Sequence, residues 1–138
     1  MPIVASVADL VIAANRLATG MAAQGIPHEP PDARLLAYEI KTHGDIIAIR
    51  GTTGVLWAHY DRDLGRWYVT HLYGLTKIVR RGVCRDLADE LRLRGEGLRK
   101  VRWTRTGAVA KELADALGLT LTADGEYESD ADLAVTKI

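Results

Sequence analysis

Cysteine is nearly missing from this 138-residue chain, where Cys84 stands alone. One thiol excludes an internal disulfide and any zinc cluster built on several cysteines. Long apolar runs are missing too, and no stretch approaches the ~20 residues that a bilayer-spanning helix needs, so no membrane segment is expected. His28, His43, His59 and His71 are scattered without metal-ligand spacing, and no metal is expected. Net charge is lacking as well, because 18 Lys and Arg balance 18 Asp and Glu. Any electrostatic preference must therefore come from how the charge is distributed. No repeat or low-complexity segment interrupts the chain. Residues 1–6 lack the basic start of a secretory leader, which leads to the expectation of a cytoplasmic product.

What is present is ordinary for a chain that builds a core: 48% apolar and 26% charged residues, enough for a single domain over residues 1–138. Ser6 reads as the N-cap of an alanine-rich helix over residues 7–23, with Leu10, Val11, Ala14, Leu17 and Met21 on one face and Gly25 as its stop. Three prolines between Pro27 and Pro31 prevent its continuation. Asp32 then caps a second helix over residues 33–43, ended by Gly44. Residues 46–49, 55–60 and 67–73 read as three strands joined by Gly- and Asp-containing turns, an antiparallel meander. A helix over residues 82–94, a strand over 98–104, a helix over 107–117 and a hairpin pairing residues 119–122 with 133–136 complete the order. Trp57, Trp67 and Trp103 are expected to lie buried on the sheet.

Charge is concentrated in the middle of the chain. Between Lys77 and Arg105, ten Lys or Arg stand against four Asp or Glu. Residues 77–82 read as a basic loop ending in Gly82, placed directly before a helix. Helix N-termini carry unpaired N–H groups and partial positive charge, so such a loop suits an anion; a solvated basic turn has the same appearance. Arg80, Arg81, Arg85, Arg92 and Arg94 contain no recognised nucleic-acid reading motif, and nucleic acid is not expected as a partner.

The element order, with its strand, basic loop and helix at the centre, resembles the GNAT family of N-acetyltransferases. The resemblance implies an α+β fold: a mixed, mostly antiparallel sheet flanked by about four helices, with the fourth strand parting from the fifth after Tyr73. In that family a Q/R-x-x-G-x-G/A loop holds the acyl-CoA pyrophosphate through backbone N–H groups. Residues 78–87 overlay this loop, with Gly82 at the first glycine. The resemblance therefore assigns Leu72, Arg80, Arg81, Gly82, Val83, Cys84 and Arg85 to an acetyl-CoA site. Residues 108–119 resemble the family's last helix.

Departures from the family pattern imply a weakened site. Val79 replaces Gln or Arg, and Cys84 replaces Gly or Ala, where a side chain crowds the approach of a phosphate to the backbone. Ala114 stands where the leaving thiolate's tyrosine acid is common, and Gly107 where an asparagine is frequent. No carboxylate base is evident, leaving His71 and Tyr73 as catalytic candidates. His71 titrates near neutrality, but beside Trp67 and Tyr68 on a strand it reads equally as a packing residue. Residues 24–33, 67–70 and 134–137 further resemble small GNAT-like virion or morphogenesis proteins of short-tailed bacteriophages. That resemblance implies a virion-associated or host-interaction module with a protein partner and weak or no acetyl transfer. The alternative it leaves is an active acetyl-CoA-dependent N-acetyltransferase acting on an amine.

Overall fold

Helix α1 (Val7–Ala23) starts because the Ser6 side chain accepts the Asp9 N–H, and it ends at Gln24 before Gly25 with φ +66°. Its buried face is Leu10, Ala13, Leu17, Gly20 and Met21. Val11, expected on that face, is exposed instead. Gly20 is the reason for the rotation: a Cβ there would strike the Tyr73 side chain, so the helix lies closest to the sheet along the Ala13–Gly20 line. Helix α2 (Ala33–His43) has Asp32 as N-cap and left-handed Gly44 as C-cap. Leu36 is its one fully buried side chain.

The computed structural model describes residues 3–25, 29–95, 100–103, 114, 120–121 and 127–128. Strands β1 (Ile46–Arg50), β2 (Gly54–Asp61) and β3 (Arg66–Tyr73) form the expected antiparallel meander. Helix α3 (Lys77–Leu93) follows, and β4 (Lys100–Trp103) then pairs parallel to β3 from Arg66↔Lys100 to Val69↔Trp103. Strands β5 (Thr120–Leu121) and β6 (Tyr127–Glu128) complete a sheet of order β1-β2-β3-β4-β6-β5. The fold is thus α+β, with a mixed and mostly antiparallel sheet. Any parting of β3 from β4 would begin past Trp103, outside the described residues. Of the expected helix over 107–117 only Ala114 is described, and it is helical and buried. Three further helices are seen among the described residues.

The closing hairpin differs from expectation. The partner of Thr120–Leu121 is Tyr127–Glu128, not residues 133–136. A five-residue connection lies within the usual hairpin range, whereas return at residue 133 would leave a much longer loop to close.

The sheet has two covered faces. Ile46, Ala48, Leu56, Ala58, Trp67, Val69 and Leu72 pack with Val83, Cys84, Leu87 and Leu91 of α3. Ile47 and Val55 pack with Val4, Leu10, Leu17 and Leu36 on the other side. No described helix is long and apolar enough to cross a membrane.

Candidate functional site

The expected anion loop is not a loop. Thr76, in extended backbone, caps α3 by accepting the Val79 N–H at 3.3 Å, and the Arg80 N–H bonds the Thr76 carbonyl at 3.1 Å. The helix therefore begins at Lys77, five residues ahead of Gly82. Donors outside the helical ladder belong to the Thr76–Val79 turn. The N–H groups of Gly82, Val83, Cys84 and Arg85 lie within the ladder and cannot cradle a pyrophosphate. Glycine at 82 has a packing cause: a Cβ would meet the Arg50 guanidinium and its stem, which cross the helix there on the way to Asp86 at 3.2 Å.

The residues assigned to acyl-CoA do not converge. Val83 and Cys84 are fully buried against the sheet, and Leu72 belongs to the same core. The Cys84 thiol thus faces the protein interior and not a phosphate-sized space. Arg81 and Arg85 point to solvent, while Arg80 turns back to donate to the Gly74 carbonyl at 3.0 Å.

His71 and Tyr73 reach the opposite face of the sheet because of a bulge. Trp57 pairs with His71 and the next residue, Ala58, pairs with Val69, so Thr70 is the extra residue. Its hydroxyl donates to the Trp57 carbonyl at 3.0 Å. By simple alternation His71 would share the face of Trp67 and Val69; the bulge moves it to the α1–α2 side. There it stacks on Trp57, with ring centroids 5.3 Å apart and 16° between planes. Together with Met21, Pro31, Asp32 and Leu35 these two rings line a cleft of about 450 Å³. Trp57 is consequently half-buried, whereas Trp67 is buried as expected; the Trp103 side chain lies outside the described residues. Tyr73 packs on Gly20 and lines a second cleft of about 380 Å³ with Asn15, Arg16, Thr19 and Thr53.

A titratable cluster lies beside Trp57. Asp45, which follows the α2 cap, has a fully buried side chain with both oxygens engaged. Oδ2 accepts the Trp57 indole N–H at 2.7 Å, and Oδ1 lies 2.6 Å from His59 Nδ1. Burial raises the Asp45 pKa, and the hydrogen bonds from Trp57 and His59 oppose that rise. The ring of His59 meets that of His43 edge to face at 5.4 Å. His43 Nδ1 in turn lies 2.6 Å from Glu39 Oε2, one helical turn back on α2. One ligand atom from each of Glu39, His43 and His59 falls within 4.8 Å of the others. Two of the four scattered histidines, His43 and His59, are therefore neighbours in space. Glu39 and His43 at i,i+4 were the available half of the signal; the pairing of His59 with them depends on where α2 meets β2.

Neither protein-family models, nor curated proteins, nor solved structures give a match to this chain, and its function has to be read from this geometry.

Proposed function

We propose that this chain is a GNAT-like domain that works as a binding module, in virion assembly or host interaction, and holds acyl-CoA weakly or not at all. The order of elements supports the GNAT-like part: two helices, an antiparallel meander, a crossover helix, a strand parallel to the third, and a final antiparallel pair. The observation that carries the binding-only part is Gly82. The space its missing side chain leaves is filled by Arg50, and its N–H is committed to the helix. A pyrophosphate would lose two or three charge-assisted hydrogen bonds of about 1.5–3 kcal/mol each, enough to move a micromolar site to millimolar or weaker. The start of α3 instead offers a partner exposed Leu75 and Ile78 beside Lys77 and Arg81.

Calorimetric titration with acetyl-CoA at low and moderate salt tests this reading. No saturation below about 1 mM is expected. The same result is expected for Cys84→Gly, since that thiol faces the core. A low-micromolar dissociation constant would overturn the proposal and favour the alternative, an acetyl-CoA-dependent N-acetyltransferase.

A further inference from the structure

We propose that Glu39, His43 and His59 form a binding site for a zinc-class divalent cation, with Asp45 as the residue that positions His59. The donor set is two imidazoles and one carboxylate, which suits borderline ions such as Zn²⁺ and leaves a coordination position for water or a fourth ligand. Ligand atoms on a tetrahedral zinc at ~2.0–2.1 Å from the ion stand roughly 3.3 Å apart. The Glu39–His43 contact of 2.6 Å is a hydrogen bond that opens by roughly 0.7 Å to reach that spacing. The three ligand atoms lie within 4.8 Å of one another, and small rotamer changes of side chains that are 20–43% exposed bring them to that spacing.

Asp45 supplies the second, independent observation. Metal-bound histidines commonly donate their other ring nitrogen to a carboxylate, which fixes the tautomer and aims the free lone pair. When Asp45 is ionised it only accepts, so His59 Nδ1 then donates to it and Nε2 keeps the lone pair for the ion. The Trp57 indole holds the other Asp45 oxygen and prevents the carboxylate from swinging out to the ion itself. The site would tie the last turn of α2 to the middle of β2. It shares no residue with the α3 start, so it stands or falls separately from the function proposed above.

Titration of the purified protein with Zn²⁺, and separately with Co²⁺ followed by visible absorption, tests the site. One equivalent should bind with a micromolar or tighter constant, and Co²⁺ should give the intense bands of a four-coordinate ion. His43→Ala, His59→Ala and Glu39→Gln should each weaken binding at least about 10-fold, and Asp45→Asn about 10–100-fold. His71→Ala, in the neighbouring cleft, should leave it unchanged. If His59→Ala or Asp45→Asn fails to fold, His43→Ala and Glu39→Gln decide, because both alter partly exposed side chains of α2. A constant weaker than about 1 mM, or one that survives both of those substitutions, overturns the proposal.

Discussion

Gly82 and Asp86 show how one arginine can dictate two residues a helical turn apart. Arg50 crosses α3 over Gly82 and pairs with Asp86. Gly82→Ala is expected to push the Arg50 side chain aside and loosen its pair with Asp86, which offsets the ~1 kcal/mol gain in helix propensity and leaves stability in urea unfolding nearly unchanged. In an Arg50→Ala background, where Asp86 has already lost its partner, Gly82→Ala should be stabilising by up to ~1 kcal/mol; the same effect in both backgrounds would remove Arg50 as the cause. Asp86 is buried, one of its oxygens has no hydrogen-bond partner among the described residues, and burial raises its pKa despite the Arg50 charge. The folded chain therefore holds this proton more tightly than the unfolded chain does. The group's contribution to stability is fully present below the ordinary carboxylate pKa and is lost as pH rises through the raised one. Asp86→Asn should flatten that slope, gaining on wild type as the pH rises through this window. Equal slopes in unfolding free energies between pH 4 and 7 would refute it. In sequence, Gly82 was legible as a special position, but the reason was not. A glycine that admits a phosphate and one that admits an arginine look the same until the crossing chain is seen.

Among the elements, the helices with side-chain caps were the most legible. Ser6 and Asp32 begin α1 and α2, and the expected bounds match the structure. Thr76 is a cap of the same kind and went unread because Gly82 suggested a break in the middle of α3. Capping and a packed apolar face outweigh the ~1 kcal/mol that a single interior glycine costs. The helices also differ in attachment. α3 buries seven residues and α1 five, but α2 buries Leu36 alone. Its C-terminus is held further by Arg94, which donates to the Gly44 carbonyl at 2.9 Å. Hydrogen exchange should therefore find the α2 amides opening at lower free energy than those of α1 and α3. Equal protection in all three would show that polar contacts anchor α2 as firmly as apolar burial anchors the others.

For the whole molecule, the meander and the α+β class could be read from alternating apolar residues and turn signals, because those patterns are local. The sheet order beyond β3, the partner of β5 and the meeting of His43 with His59 could not. Each depends on contacts between residues distant in sequence, which no periodicity encodes. Alternation also misplaced His71, since it assumes an unbroken period of two. That bulge has a consequence for how the chain can vary in length. Deleting Thr70 would restore strict alternation and leave His71 and Tyr73 toward the clefts and Leu72 toward α3, whereas deleting Leu72 would turn Tyr73 into the face packed by α3. A deletion among residues 62–64, in the exposed turn, would shift no strand register past the turn. A scan of single-residue deletions scored by protease resistance should accordingly spare that turn and residue 70, and reject residue 72. Should residues 70 and 72 be tolerated alike, the meander slides more freely than its packing implies. Otherwise Thr70 is a spare residue, and loss of one codon is open to this lineage there and in the neighbouring turn but closed at Leu72.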